Sequence, residues 1–344
     1  MTMTDTRSEI SKIFKLLEID SPAAFTFAGS RFTTPGEPDA EETRGATLAA
    51  LTQQLYLNCF CRRFTGVLKE HALPTADASD DLSTELSVAN QAKSRWSGGW
   101  TIISIDASGR ILAQQTDAVR LFWPGEYVVP DLAASAPRVG ASARVHVAAE
   151  SLSAQPGFYF AFGESLEDRR ENTDIIRFYL SVSDNGVGHL LHDLTLKLNR
   201  FFVPYRLKCF IRRAQYWRLD AVVLCVERRF YQISAELIPG IYDCVRRDMQ
   251  TASPLFTKTL APGLAFPEDP PSGVGFGLDR CGLLARALLE GYDNHAAGSE
   301  LLPIVEKKFG REGLSLDKPY LNPGSVDDYE FAILEARLSE QFEE

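Results

Sequence analysis

Pro204-Tyr-Arg206-Leu-Lys208-Cys-Phe-Ile-Arg212-Arg213-Ala-Gln-Tyr216-Trp-Arg218-Leu-Asp220 runs straight into Ala221-Val-Val-Leu-Cys225-Val, and the alternation inside this stretch decides the fold. Arg206 and Lys208 stand two apart in an apolar, β-branched and aromatic run, so on a strand both side chains leave by the same face. Arg218 and Asp220 repeat that spacing ahead of a run that reads as a buried strand. Two strands, about 203–211 and 219–228, therefore carry cations on one face, a floor suited to an anion. Arg212 and Arg213 fall outside the alternation and read as turn or rim residues.

Upstream, Ile175-Ile-Arg177-Phe-Tyr179-Leu reads as a further strand that exits at Asp184-Asn-Gly186. A helix follows through about Phe201, with Leu190, Leu191, Leu194 and Leu198 turned inward. Downstream, a helix near 232–251 leads to a Pro/Gly-rich passage over 261–277, which opens onto a helix at 278–291. The acidic tail, 326–344, reads as a surface helix.

Toward the N-terminus, 7–18 and 44–70 show helical patterning, with Leu48, Leu51, Leu55 and Cys59 on one stripe. Residues 72–84 are polar and read as a linker or loop. From about 94 to 163 the signal turns to strands: Trp100–Ile105, a turn at Asp106–Gly109, Arg110–Ala113, then Arg144–Val147 and Gly157–Gly163. This order predicts an α+β fold, a mostly antiparallel or mixed sheet flanked by helices with a helical N-terminal region. Three parts are expected: a helical region over 1–90, a strand-rich middle over 91–165, and an α+β core with C-terminal helices over 166–344.

The chain has 344 residues, 45% hydrophobic and 24% charged, with ample material for a core. Its net charge of −10 argues against bulk binding to nucleic acid or an anionic membrane, so anion recognition must be local. The N-terminus has no apolar signal core, and no run approaches the roughly 20 apolar residues of a membrane span. The six cysteines, 59, 61, 209, 225, 244 and 281, lack paired metal-ligand spacing. A cytoplasmic protein with reduced thiols, no structural metal and no cofactor is the expectation.

Arg177 and Tyr179 share one strand face, as Arg206 and Lys208 do. Arginine forks pair bidentately with phosphate oxygens, while a lysine acts as a point charge or a base. The alternative is a set of solvated side chains paired with Asp220 and Glu227. Gly273-Val-Gly275-Phe-Gly277-Leu-Asp-Arg280 precedes a helix, where backbone N–H groups and Arg280 could meet an anion, although the stretch is neither a P-loop nor a dinucleotide fingerprint. His189 and His192 stand three apart on a helix without further metal ligands.

Several clusters together resemble the HopA-type type III effector family: Tyr205-Arg-Leu-Lys208, Tyr216-Trp-Arg218-Leu-Asp220-Ala-Val-Val-Leu, Pro254-Leu-Phe-Thr-Lys-Thr-Leu-Ala-Pro-Gly263, Glu268-Asp-Pro and Phe276-Gly-Leu-Asp-Arg280-Cys. Asn90-Gln-Ala-Lys-Ser-Arg-Trp-Ser-Gly-Gly-Trp100 and the helix holding Leu55 and Tyr56 extend the resemblance, which runs from about 45 to 290. One branch of the family comprises effectors injected by plant pathogens. The other serves class V lanthipeptide and thioamitide biosynthesis, paired with a kinase-like protein, and the resemblance implies a phosphoserine/phosphothreonine lyase acting on a phosphorylated precursor peptide.

That chemistry needs a base at the α-carbon, and a lysine serves only if its ordinary pKa of about 10.4 falls. Lys208 is the expected base, with Arg177, Arg206, Arg218 and Arg280 as phosphate ligands. By analogy with phosphothreonine lyases of the OspF and SpvC type, whose histidine acid would correspond to Tyr179, that phenol is the expected general acid. His189 and Tyr216 are the fallbacks. The rival expectations are a non-catalytic phosphopeptide- or leader-peptide-binding partner of the kinase and a host-directed effector.

Overall fold

The structure, a computed structural model, describes residues 6–36, 41–69, 78–116, 118–130, 136–166 and 174–331. After helix α1 (Thr6–Phe14) the chain forms an antiparallel meander of β1 (Leu17–Ser21), β2 (Ala24–Phe27) and β3 (Ser30–Thr33), where sequence patterning led us to expect helix alone. Ala28 and Gly29 take φ of 47° and 81°, the two left-handed positions of a two-residue hairpin, and set Phe27 opposite Ser30. Helix α2 (Glu41–Leu55) does not continue to residue 70 but widens into a π-helical turn over Tyr56–Phe60. Of the expected loop at 72–84, residues 72–77 lie outside the described residues, and α3 (Ser83–Ala89) begins within its far end.

The strand-rich middle is a five-stranded antiparallel sheet of β4 (Arg95–Ile105), β5 (Ile111–Gln115), β6 (Ala118–Phe122), β7 (Tyr127–Val128) and β8 (Ser142–Val147), in the order β6-β5-β4-β8-β7. The expected hairpin pairs Ile105 with Ile111. Trp100, Ile102, Ile111, Ala113, Phe122, Ala143 and Val145 alternate inward and give this sheet its own small core.

The remaining elements are β9 (Glu150–Ser151), β10 (Phe158–Phe162), β11 (Ile175–Leu180), α4 (Val187–Arg200), β12 (Arg206–Phe210), β13 (Val222–Glu227), α5 (Tyr231–Val245), β14 (Lys258–Ala261), β15 (Leu264–Phe266), α6 (Phe276–Asp293) and α7 (Leu301–Arg311). Seven strands form one antiparallel sheet in the order β14-β15-β11-β13-β12-β10-β9. The late strand β13 thus fills the space between β11 and β12. The chain is an α+β fold.

Alternation splits the side chains of this sheet. Ile176, Phe178, Leu180, Leu207, Cys209, Val222, Leu224 and Val226 pack with the inward leucines of α4 and with Ile238 and Ile241 of α5. The opposite face meets α2, the π-turn and α6 at its β11–β15 end, where Tyr179 and Ala265 join Phe60 and Phe276 in a second core. Gly277 permits that contact, since a Cβ there would fall 2.5 Å from the Phe60 ring. Residues 326–330 are not helical, and 332–344 of the expected tail helix lie outside the described residues.

Candidate functional site

The strand register builds the site. Cys225 of β13 pairs with Arg177 on one side and Arg206 on the other, and Val223 pairs in the same way with Tyr179 and Lys208. Directly paired residues project to one face, so Arg177, Tyr179, Arg206 and Lys208 share it. β10 widens the rows, with Phe162 opposite Arg206, Phe160 opposite Lys208 and Phe158 opposite Phe210. Cations therefore stand on an aromatic floor.

Lys208 is half-buried, with Nζ 3.7 Å from the centroid of the Phe158 ring and 6.0 Å from that of Phe160. Among the described residues, neither Lys208 nor Arg206 has a carboxylate within ion-pair distance. Burial lowers the Lys208 pKa from its ordinary value; Arg177 and Arg218 push it the same way, and Asp220 opposes them. The cation–π contact favours the ammonium that burial disfavours, so the ring and the burial act on Lys208 in opposite directions.

Arg177 is held by Asp269, with Nη2 2.6 Å from a carboxylate oxygen, and its buried Nε has no hydrogen-bond partner. Burial raises the Asp269 pKa against the pull of Arg177 and Arg206. The N-terminus of α6 comes close here, since a Cβ on Gly275 would lie 3.7 Å from Nη1 of Arg177.

Arg218 does not lie on a strand. It and Asp220 sit in the turn ahead of β13, which begins only at Val222. The expected strand loses these residues because they make a compact polar knot. Arg218 Nε and Nη2 donate to Asp220 at 2.8 and 2.9 Å, Nη2 donates to the Tyr56 hydroxyl at 3.0 Å, and Tyr56 donates to Asp220 at 2.7 Å. Burial would raise the Asp220 carboxyl, but Arg218 and Tyr56 hold it below its ordinary value.

Two expected site residues are placed differently from the rest. Tyr179 is 3% exposed, with the Phe60 ring edge-on at 5.6 Å, and burial pushes its phenol pKa up. Arg280 is 2% exposed; its Nε and Nη2 donate to the Pro319 and Leu321 carbonyls at 2.9 Å, and Nη1 binds Asp279. The structure thus spends Arg280 on anchoring the 319–321 segment instead of on the sheet face, because a guanidinium sealed from water must give its donors to whatever acceptors surround it. His189 lies on α4, against the other face of the sheet, and His192 bonds Asp193 at 3.0 Å. Tyr216 is buried, its hydroxyl donating to the Phe210 carbonyl at 2.8 Å. Arg213 pairs with Glu85 and Asp184, and Arg212 with Asp81, at the rim.

Sequence reasoning did not place Tyr56, Asp269 or the Phe158–Phe162 alternation at the site. Tyr56 sits on a helical stripe that reads as core, and the strand at 157–163 gives no sign of its neighbour. Two clefts lie elsewhere. One of about 500 Å³ is lined by Asp174, Glu227, Arg228 and Arg229, whose charges already compensate through Arg228–Asp328 at 3.1 Å and Arg229–Glu227 at 2.6 Å. The other, about 690 Å³, is bordered mainly by apolar residues such as Phe14, Leu17, Leu288 and Leu301. The sheet face differs from both clefts in setting a half-buried lysine on an aromatic ring in the same face as two arginines. Among the described residues no group of three His, Cys, Asp or Glu side chains could hold a metal, and no helix is long and apolar enough to cross a membrane.

No curated protein matches the chain. It is similar to the solved structure of the effector protein from Pseudomonas syringae pv. tomato strain DC3000, at 13% identity over 81% of this chain and 96% of that one, with a TM-score of 0.45. It is also similar to the effector protein from Pseudomonas syringae pv. syringae strain 61, at 12% identity over 50% of this chain and 66% of that one, with a TM-score of 0.37. Residues 149–321, which hold all seven strands of the larger sheet, match the HopA1 effector protein family. That match spans half of the 344 residues, and the chain belongs to the HopA1 effector protein family.

Proposed function

We propose that the protein is a lyase that eliminates phosphate from phosphorylated Ser or Thr of a ribosomal precursor peptide, leaving dehydroalanine or dehydrobutyrine, with Lys208 as the base. One observation carries the reading: a half-buried lysine of lowered pKa, without a carboxylate partner among the described residues, stands on an aromatic ring in the same sheet face as Arg177 and Arg206. Phosphate groups call for such a cluster, and proton abstraction calls for such a lysine.

In the proposed step Lys208 Nζ takes the α-proton, the electrons of the Cα–H bond form the Cα=Cβ bond, and the Cβ–O bond breaks with its pair leaving on phosphate. Arg206 and Arg218 pair with the phosphate oxygens, in the bound substrate as in the transition state. The ammonium formed on Lys208 stands over the same face and returns the proton to the phosphate oxygen. Tyr179, under Phe60, is poorly placed for that donation. The phosphorylated peptide is the substrate, and a kinase-like protein of the same pathway is the partner that supplies it.

Mass spectrometry of a phosphothreonine peptide incubated with the purified chain tests the reading. Loss of the elements of phosphoric acid, with inorganic phosphate released in the absence of added metal, is the expected result. An alcohol product would mean a phosphatase. Saturable binding with unchanged mass would mean a non-catalytic phosphopeptide-binding partner. The family's description as effectors favours a second reading, in which the same chemistry acts on a phosphoprotein of a host; turnover of host phosphoproteins but not of precursor peptides would select it.

A further inference from the structure

The polar knot beneath the site joins segments far apart in sequence. Tyr56 opens a π-helical turn, a departure from α-helical winding that frequently accompanies function. The wider turn carries Tyr56 and Cys61 to the 218–220 turn, where Arg218 Nη2 approaches Cys61 Sγ at 3.0 Å as well as the Tyr56 hydroxyl at 3.0 Å. Nε and Nη2 are thus fully engaged on the inner side. Nη1 has no hydrogen bond among the described residues and is not sealed from solvent, and the side chain remains 11% exposed.

Its position relative to Lys208 follows from the aromatic floor. The Arg218 guanidinium carbon lies 4.9 Å from the Phe210 ring centroid, the Phe210 and Phe158 centroids are 4.4 Å apart, and Lys208 Nζ stands on Phe158. The two cations flank one pair of rings. An arginine free to rotate would lose side-chain entropy each time it bound an anion, whereas a fork fixed by Asp220 and Tyr56 has already lost it.

We propose that Tyr56 and Asp220 are positioning residues of the phosphate pocket: they lock the Arg218 guanidinium so that its Nη1 edge faces the anion across the Phe158–Phe210 floor from Lys208. Neither needs to touch substrate. The inference rests on the phosphate-pocket reading above, but not on turnover.

The test uses the full chain with inorganic phosphate as ligand in calorimetry and a phosphothreonine peptide as substrate. Tyr56→Phe keeps the Arg218–Asp220 pair and removes one hydroxyl. It should weaken phosphate binding and raise KM by about three- to tenfold, the net worth of one ordinary hydrogen bond, with kcat within about twofold because ground-state and transition-state binding fall together. Arg218→Lys keeps the charge but lacks a second arm, and should weaken phosphate at least as much; it carries the test if Tyr56→Phe does not fold. Unchanged phosphate affinity in folded Tyr56→Phe, or a fall in kcat at constant KM, overturns the proposal. Weakened phosphate binding in a chain that never dehydrates the peptide would leave the positioning role standing and sink the lyase. Dehydration with unaltered phosphate affinity in the variant would do the reverse.

Discussion

The two faces of the seven-stranded sheet are built from the same strands, residue by residue in alternation, yet they solve opposite problems. Behind it, Leu207, Leu224 and Phe178 close against α4 and α5. In front, Lys208 stands on an aromatic ring, and it, Arg206 and Arg177 flank β13's small Cys225 and Val223. The apolar face supplies the rigidity that lets the other hold three neighbouring cations, of which Arg177 alone pairs with a carboxylate among the described residues, although their mutual repulsion and desolvation work against folding. A sheet can do both because period-two alternation separates core from site within one element, which a helix face achieves less sharply.

Substitutions at adjacent positions should separate the two roles. Lys208→Ala should lower kcat for phosphate elimination by about 10²–10⁴-fold, the usual worth of a general base, with an unfolding midpoint that does not fall. Its neighbour Leu207 is 1% exposed on the other face; Leu207→Ala should cost about 2–5 kcal/mol in urea unfolding while kcat per folded molecule holds. Comparable loss of stability in both variants would break the comparison. Arg280→Ala should behave like the core substitution, costing about 3 kcal/mol because the Pro319 and Leu321 carbonyls lose buried donors, and phosphopeptide affinity should stay the same. A large loss of affinity in a folded variant would return Arg280 to the site.

Smaller effects should appear in pH profiles. Lys208 is faced by Asp220, Arg177, Cys225 and Arg218, of which Asp220 raises its pKa and the two arginines lower it. A base acts when neutral, so kcat should rise with pH through a limb below the ordinary lysine value of 10.5. Asp220→Asn removes a charge that favours the ammonium and should move the limb to lower pH; movement to higher pH would contradict the assigned base. Phe158→Leu removes the ring beneath Nζ and should move the limb the same way by less than about one unit, given a cation–π contribution of about 0.5–1 kcal/mol.

Strand alternation made much of the front face readable in sequence: Arg206 with Lys208, and Arg177 with Tyr179, needed only a period of two. What escaped was lateral order. Nothing in 157–163 announces that Phe158 will lie beneath Lys208, because strand neighbours are set by the closing of the whole sheet. Arg218 looked like strand by spacing alone, but its contacts to Asp220 and Tyr56 compete with a ladder and hold a turn. Arg280 looked like an anion ligand from its place at a helix start, and only the path of residues 319–321 reveals its acceptors. The meander over 17–33 was missed for a local reason: Phe25 and Phe27 alternate over only four residues of β2, too few to outweigh the helical pattern before them.

The insertion of β13 between β11 and β12 bears on how the protein is made. When a ribosome has released β11, α4 and β12, the two cation-bearing strands have no hydrogen bonds to each other, and the gap between them waits for a segment synthesised later. Arg177 and Arg206 come into one row only when Cys225 pairs with both. Nascent or truncated chains that stop short of β13 therefore carry all four front-face side chains without the row that joins them, so under the proposed function phosphate recognition would be a late event of folding, unable to sequester phosphorylated peptides before the sheet is whole.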